Sequence, residues 1–205
     1  MFLDELTEFR SDTIDALRQP LEDKYVSVTR IDGNYRFPAD FMLVGAANRC
    51  KCGYFPDRTR CNCSEADIKK YLSRISGPIM DRIDICVDVP TVKPENIGLK
   101  GNYTNEKLKE TVERVVNIQR ERFKNSGIMY NSQMTKRDIE EYAHMSKQAT
   151  EILGMAYDSL KLSMRSYYKS VKVARTIADI ENAYYIEERH ILEALGYRVD
   201  DAFKC

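Results

Sequence analysis

The chain contains one compact group of thiols, Cys50, Cys52, Cys61 and Cys63, arranged as two C-x-C pairs separated by eight residues. Four thiolates can bind one Zn²⁺ tetrahedrally, and such a site is structural because no ligand position stays open. Two residues between the thiols of a pair are more usual than one, so reduced thiols and a disulfide are alternatives to zinc. The spacing therefore indicates a candidate metal centre and leaves its occupant open.

Two acids and one carboxamide have the types and positions for nucleotide chemistry. Asp4 and Glu5 follow a short apolar stretch, and Asn48 follows the apolar run 41–47. In P-loop nucleotide hydrolases, carboxylates at the end of a strand help to hold Mg²⁺ and polarise an attacking water. A carboxamide at such a position can donate to a phosphate oxygen and accept from a water. A solvated acid pair and a turn-forming asparagine are the simpler alternatives.

One arginine is a candidate for phosphate chemistry between molecules. Arg82 lies between Asp81 and Asp84 in the segment Ser-Gly-Pro-Ile-Met-Asp-Arg-Ile-Asp. Its permanently charged guanidinium can stabilise a phosphoryl transition state on a neighbouring subunit, as an arginine finger does. An ion pair with Asp81 or Asp84 in the same chain is the alternative, and the spacing alone favours it.

Composition restricts the class of protein. The 205 residues are 43% hydrophobic and 31% charged, with 32 basic and 32 acidic side chains. These values exclude a disordered or low-complexity chain, and the run 41–47 is too short to span a membrane. The first residues carry two acids where a signal peptide would be basic, so we expect a cytoplasmic protein with no membrane partner. Because the net charge is zero, any contact with a polyanion needs a few well-placed side chains.

Proline predicts a division of the chain. All 6 prolines lie between Pro20 and Pro94, and proline marks turns and strand ends. We therefore predict an α/β part over residues 1–94 and an all-α part over residues 95–205.

Strands of the first part should position the acids and the asparagine. The run 41–47 predicts a strand buried on both faces of a parallel sheet, and alternation over 83–89 predicts another. Alternating β-formers on either side of an Asp-Gly-Asn turn predict a β-hairpin over residues 25–37. A helix capped by Ser11 and ended by Pro20 should precede that hairpin.

Helical periods and capping residues fill the second part. Thr104, Thr135 and Ser163 are the predicted caps, and a last helix covers residues 187–195. Ser163 places Arg165 in the first turn of its helix, at an end that favours phosphate. A surface arginine is the simpler interpretation of Arg165.

The order of these motifs resembles one family over nearly the whole chain. The chain contains, in sequence, Leu-Asp-Glu-Leu, Ala-Leu-Arg-Gln-Pro-Leu-Glu-Asp, the hairpin, Phe-Met-Leu-Val-Gly-Ala-Ala-Asn, the cysteines, Ile-Ser-Gly-Pro-Ile-Met-Asp-Arg-Ile-Asp, Leu-Ser-Met-Arg-Ser-Tyr and Val-Ala-Arg-Thr-Ile-Ala-Asp-Ile. It is similar to the C-terminal portion of ComM-type, magnesium-chelatase-like AAA+ ATPases. The resemblance implies a partial AAA+ P-loop NTPase core, with an incomplete parallel sheet and a β-hairpin insertion, followed by a helical lid domain.

The resemblance also implies roles for single residues. Asp4 and Glu5 match the Walker B acids, and Asn48 matches sensor 1. Arg82 matches the trans-acting arginine finger, and Arg165 matches the sensor 2 arginine of the lid. The resemblance further implies ATP and Mg²⁺ as cofactors of the parent protein and self-association into a ring, expected to be a hexamer.

The predicted hairpin corresponds to the pre-sensor 1 insertion of this clade, which points into a central channel in related motors. The resemblance therefore implies DNA as a partner, contacted by Arg30, Tyr35 and Arg36 through its backbone or by stacking on a base. An exposed hairpin without a partner is the simpler alternative.

One feature departs from the family. The sequence has no G-x-x-x-x-G-K-[ST] motif and begins within the Walker B strand, so we expect a fragment that does not hydrolyse ATP alone. The first functional hypothesis is part of an ATP-driven ring motor acting on DNA, of the helicase or branch-migration type. The others are a magnesium-chelatase-type motor subunit and a non-enzymatic, zinc-stabilised binding module.

Overall fold

The computed structural model describes residues 1–90, 92, 98, 101 and 103–198. The described chain forms two compact units, one containing Met1–Cys86 and the other Val87–Arg198. The domain boundary predicted after residue 94 lies outside the described residues.

The first unit contains two pairs of strands. β1 (Phe2–Leu3) and β4 (Val44–Gly45) pair in parallel, and β2 (Tyr25–Arg30) and β3 (Gly33–Pro38) form an antiparallel hairpin. A 3₁₀ turn follows β1, and the helices of this unit are α1 (Ser11–Asp15), α2 (Arg18–Asp23), α3 (Glu65–Leu72) and α4 (Gly77–Met80). The predicted hairpin is confirmed.

Two strand predictions are wrong. The run 41–47 contains only the two-residue strand β4, and Val44 within it is exposed, whereas a strand buried on both faces was expected. Residues 83–90, all of which are described, contain no strand. The physical reason is shared: a strand needs neighbours to complete its backbone hydrogen bonds, and β1 is the only strand of the described chain that pairs with β4.

The helix predicted before the hairpin also differs. Ser11 is the first residue of α1 rather than its cap, and Arg10 holds the cap position without a side-chain hydrogen bond. Pro20 does not end a helix but lies within the first turn of α2. Proline is accepted there because the first N–H groups of a helix have no partner within the helix.

Two small apolar clusters stabilise the first unit. One connects the segment after β1 with α1 and α4, and its buried members are Leu6, Ile14, Ile75, Ile79 and Met80. The other packs α3 against the thiols, and its buried members are Cys50, Cys61, Ile68, Tyr71 and Leu72. The candidate metal centre is therefore part of a core.

The second unit is helical. Its helices are α5 (Asn105–Phe123), α6 (Lys136–Tyr142), α7 (Lys147–Ser159), α8 (Met164–Ile180) and α9 (Glu188–Gly196). The predicted caps are confirmed, because Thr104, Thr135 and Ser163 each accept a backbone N–H of the following turn. The mixed α/β class with a small parallel sheet and a helical C-terminal part is therefore confirmed.

A buried ion network joins the helices of this second unit. Asp179 and Arg175 on α8 are both 1% exposed and pair with each other at 3.0 Å. Arg122 of α5 binds the same carboxylate, and the side chain of Asn131 donates to it at 2.8 Å. Arg175 also donates to the carbonyl oxygen of Tyr184 at 2.7 Å. The carboxylate thus offsets buried cations from two helices.

None of the helices in the described parts of the chain is long and apolar enough to cross a membrane.

Candidate functional site

The predicted acids and asparagine lie at the same edge of the parallel strand pair. Phe2 is opposite Val44 and Leu3 is opposite Gly45, so both strands end side by side. The alignment continues beyond them, since the backbone N–H of Leu6 donates to the carbonyl oxygen of Ala46 at 2.7 Å. Asp4, Glu5 and Asn48 follow these strand ends and are exposed. The carboxyl edge of a parallel sheet is where such folds bind ligands.

The backbone directs the two acids differently. Asp4 accepts the backbone N–H of Glu5 at 2.9 Å, and Glu5 has left-handed backbone angles, with φ 49° and ψ 47°. Left-handed backbone angles are not those of a strand. The chain therefore leaves the strand direction at Glu5. Thr7, completely buried just beyond them, donates to the Tyr71 hydroxyl at 2.6 Å.

Arg82 follows α4 and forms an ion pair within its own chain. Its Nη2 pairs with Glu22 of α2, and its Nη1 donates to the Pro78 carbonyl oxygen at 2.6 Å. The local spacing indicated Asp81 or Asp84 as the partner, whereas the ion pair is with Glu22, which is sixty residues away. No local spacing could have indicated this contact, because the fold alone brings α2 beside α4.

Arg165 belongs to the second unit. Ser163 caps α8 by accepting the N–H of Ser166 at 3.1 Å, and Arg165 is an exposed residue of the first turn. Its predicted position in the first turn of a helix is therefore confirmed.

The four predicted thiols converge. Their sulfur atoms all lie within 4.8 Å of one another, and none forms a disulfide. The Sγ of Cys50 is 3.3 Å from that of Cys52 and 3.8 Å from that of Cys61, and Cys52 and Cys61 are 3.5 Å apart. Zn–S bonds of about 2.3 Å in a tetrahedron place sulfurs about 3.8 Å apart. The C-x-C pairs therefore fit a zinc ion despite the short spacing.

Local structure brings the thiols together, and their surroundings give Cys50 and Cys61 different pKa values. Gly53, with φ 79°, reverses the chain after the first pair, and the backbone N–H of Phe55 donates to the Cys50 sulfur at 3.4 Å. Burial opposes ionisation of Cys50, but the Phe55 N–H and the neighbouring thiols outweigh it and lower its pKa to about 6. Burial, with the adjacent Cys52 and Cys50, raises the pKa of Cys61 to about 11.

The segment that carries the thiols is rich in basic residues. A zinc ion with four thiolates has a net negative charge, which nearby cations stabilise. The segment 49–63 contains a single acid, Asp57, and four basic residues: Arg49, Lys51, Arg58 and Arg60. The donor set and its surroundings are therefore compatible with zinc.

The hairpin divides the predicted nucleic-acid residues between its two faces. Directly opposed residues of an antiparallel pair share a face, and faces alternate along each strand. Tyr35 opposes Val28 and shares its face with Arg30, whereas Arg36 opposes Ser27 on the other face. Arg36 lies over the Tyr25 ring at 4.8 Å.

The face of Arg30 and Tyr35 carries a further exposed aromatic residue that the sequence analysis missed. Phe37 is two residues beyond Tyr35 and is 55% exposed. Ile31 at the tip of the hairpin is fully exposed. The two-residue alternation is the signal that could have assigned Phe37 to this face, which we call the aromatic face: Arg30, Tyr35 and Phe37.

Two family models together cover most of the chain. The model described as "Magnesium chelatase, subunit ChlI" matches residues 1–97, and the model described as "Magnesium chelatase, subunit ChlI C-terminal" matches residues 102–198. The chain belongs to the magnesium chelatase ChlI family. The similarity to ComM-type, magnesium-chelatase-like proteins that the motifs predicted is thus confirmed.

Relatives within this ChlI family match along almost the whole chain. Competence protein ComM of Haemophilus influenzae is 38% identical over 201 residues, covering 97% of this chain and 38% of that protein. Proteins named YifB are 33% identical in Salmonella typhimurium and 32% identical in Escherichia coli, covering 98% of this chain and 39% of each YifB. The chain therefore spans less than two fifths of the length of these relatives.

Proposed function

We propose that this chain is part of an ATP-driven AAA+ motor that acts on DNA. Family membership supports an AAA+ ATPase as the parent protein. The 205 residues contain no G-x-x-x-x-G-K-[ST] motif, so binding of the ATP phosphates requires a phosphate loop outside this sequence. We therefore expect no hydrolysis by the chain alone.

The observation that carries the proposal is the shared edge of β1 and β4. In-register parallel pairing of Phe2 with Val44 and of Leu3 with Gly45 ends the two strands side by side. Asp4, Glu5 and Asn48 follow these ends in the sequence, at a carboxyl edge of the type that binds phosphates in α/β folds. With Mg²⁺ and ATP bound, Asp4 would help to hold the metal ion and Glu5 would accept hydrogen bonds from the attacking water. Asn48 would orient that water or a phosphate oxygen.

Arg165 and Arg82 would both bind phosphate oxygens of ATP. Arg165 would reach a phosphate oxygen from the lid, as a sensor 2 residue does. Arg82 would reach the ATP of a neighbouring copy, which requires the chain to assemble into a ring, expected to be hexameric. A guanidinium suits this role because it stays charged and binds phosphate oxygens bidentately.

The aromatic face of the hairpin supports DNA as the substrate. It combines one cation with two exposed rings, which suits stacking on bases beside a phosphate backbone. The Haemophilus influenzae relative is a competence protein, which agrees with a role in DNA handling. A helicase or branch-migration activity is the form of DNA motor that we propose.

We also propose that the four thiols bind one structural zinc ion. Four protein ligands leave no open position, so the ion would stabilise the segment 49–63 and take no part in hydrolysis. The converging sulfur atoms support this assignment.

A magnesium-chelatase-type motor subunit is the second candidate, and the description of the matching family models favours it. Such a motor would drive Mg²⁺ insertion into a porphyrin and would have no requirement for DNA. Stimulation of the ATPase by DNA therefore separates the two motors, and a complete absence of ATPase would favour a non-enzymatic, zinc-stabilised binding module.

The test measures ATP hydrolysis by the full-length protein that carries this chain, with and without DNA. We expect DNA to stimulate hydrolysis, and Asn48→Ala to reduce it about 100-fold, in the range reported for loss of one polar group that stabilises a transition state. Asn117→Ala, on the exposed surface of α5, is the matched control and should retain activity. Equal activity of the two variants would contradict the role of the shared edge.

A further inference from the structure

The orientation of Arg82 conflicts with a role on a neighbouring molecule. Its side chain is only 13% exposed, and its guanidinium is directed at Glu22 and the Pro78 carbonyl oxygen of its own chain. Its Nε is buried and finds no hydrogen-bond partner among the described residues. A buried donor without a partner is unfavourable, so the contact with Glu22 has to compensate for this arrangement.

Glu22 connects this arginine to the base of the hairpin. Glu22 lies in the last turn of α2, two residues before Lys24, which has φ 62° and leads directly into β2. The Lys24 carbonyl oxygen accepts the backbone N–H of Ala39 at 2.8 Å. The Nζ of Lys24 pairs with Asp40 at 3.3 Å. Both contacts close the hairpin at its base. Lys24 therefore joins the end of α2, which carries Glu22, to the base of the hairpin.

We propose that Glu22 is a positioning residue that holds Arg82 on its own chain and releases it when the hairpin is displaced by bound nucleic acid. The inference rests on the proposed function, in which Arg82 acts on the ATP of a neighbouring copy. The Glu22 carboxylate and a phosphate both offer paired oxygens to one guanidinium, so they compete for it. Movement of the hairpin would shift that competition because α2, which carries Glu22, leads through Lys24 directly into the hairpin.

The holding contact can be tested on the 205-residue chain without ATP. Phenylglyoxal modifies accessible arginines, and mass spectrometry of the digested chain gives the modification rate of each one. We expect Glu22→Gln to increase the rate at Arg82 about fivefold, because a charge-assisted hydrogen bond is replaced by a neutral one of roughly half its strength. Equal rates in the two proteins would overturn the proposal.

A matched control is available in the same unit. Glu65 pairs with Arg58, which is 44% exposed, so Glu65→Gln removes a similar contact from an arginine that is already accessible. We expect Glu65→Gln to leave the rate at Arg82 unchanged. Thermal unfolding followed by circular dichroism identifies any variant that has lost its fold. An unfolded variant would also show increased modification at every buried arginine, including Arg175.

The link to the hairpin has its own measurement. A single-stranded oligonucleotide, with binding followed by fluorescence anisotropy, should raise modification of Arg82 in the unaltered chain toward the Glu22→Gln rate. Bound oligonucleotide without this increase would overturn the link. Failure of the oligonucleotide to bind would count against DNA as the substrate, and the comparison of the chain with Glu22→Gln would still decide whether Glu22 holds Arg82.

The same variant gives an activity readout in the full-length protein. We expect Glu22→Gln to raise hydrolysis without DNA and to reduce the ratio of DNA-stimulated to basal hydrolysis several-fold. The reason is that Glu22 would no longer hold Arg82 on its own chain until DNA displaces the hairpin. A residue that only stabilised the fold would lower both rates together. An unchanged ratio would overturn the proposal.

Discussion

Thiols bind zinc as thiolates, and Cys50, Cys61 and Cys63 of the candidate metal centre differ in how readily they lose a proton. Cys50 has a pKa lowered to about 6, whereas the pKa of Cys61 is raised to about 11 and that of Cys63 is also raised. At pH 7 a zinc ion would therefore meet Cys50 largely as a thiolate and would have to displace protons from Cys61 and Cys63. The apparent zinc affinity should accordingly rise with pH.

The residue-scale prediction concerns these thiols. We expect the chain, purified without chelator, to contain about one zinc per chain, as a Cys₄ site requires, and Cys61→Ser to lose most of it. Cys86→Ser, which alters a thiol in the other apolar cluster, should keep the metal. Elemental analysis gives the zinc content, and a chromophoric chelator titrated between pH 6 and 8 gives the affinity. Zinc well below one equivalent in the unaltered chain would reject the site.

At the scale of elements, the hairpin is the part whose faces matter. A two-stranded hairpin has no core of its own, so its exposed side chains are available to a partner. Tyr35 and Phe37 alternate onto the aromatic face, while Arg36 is occupied with the Tyr25 ring on the opposite face. We therefore expect loss of Tyr35 to weaken DNA binding more than loss of Arg36.

We expect Tyr35→Ala to weaken binding of single-stranded DNA about tenfold, because stacking of one base on an aromatic ring contributes about 1–3 kcal/mol. Tyr35→Phe keeps the ring and should bind nearly as well as the unaltered chain. Arg36→Ala should have a smaller effect than Tyr35→Ala. Fluorescence anisotropy with a labelled oligonucleotide measures all three, and equal losses in the two alanine variants would mean that both faces contact DNA.

For the molecule as a whole, charge limits the way in which DNA can be held. Basic and acidic side chains are equal in number, at 32 each, so there is no general attraction to a polyanion. In the proposed function, DNA binding would then depend on one or two cations of the hairpin and on stacking, which is insensitive to salt.

The corresponding prediction is a weak salt dependence. Each phosphate contact with single strands lowers the logarithm of the binding constant by about 0.7 per tenfold increase in salt. With one or two cations engaged, the slope per chain should lie between roughly −0.7 and −1.4. Titrations at several NaCl concentrations measure it, and Lys147→Ala on exposed α7 serves as a control that should not alter the slope. A slope several times steeper would indicate a broad electrostatic surface elsewhere.

The sequence was sufficient where a local signal determined the structure. The caps Thr104, Thr135 and Ser163 and the existence of the hairpin follow from residues a few positions apart. The turn itself lies at residues 31–32, one position before the predicted Asp-Gly-Asn, because Gly33 and Asn34 already pair in β3. The convergence of the thiols was also predicted, because a shared metal centre requires it.

Predictions failed where residues distant in the sequence determine the local structure or the contact. The apolar run 41–47 and the alternating segment 83–89 have the composition of strands, but a strand also depends on what pairs with it. The partner of Arg82 was missed for a similar reason, since Glu22 is distant in sequence and is brought close only by the packing of short helices.

The buried Thr7–Tyr71 hydrogen bond has a consequence for the response of the protein to its chemical surroundings. Thr7 lies two residues after Glu5, and Tyr71 packs in the same cluster as Cys50 and Cys61. A change at the thiols, such as oxidation, would therefore disturb the packing of Tyr71 and its hydrogen bond with Thr7, two residues beyond Glu5. If the thiols bind zinc as proposed, loss of the ion would reach Asp4 and Glu5 through this one pair of hydroxyl groups.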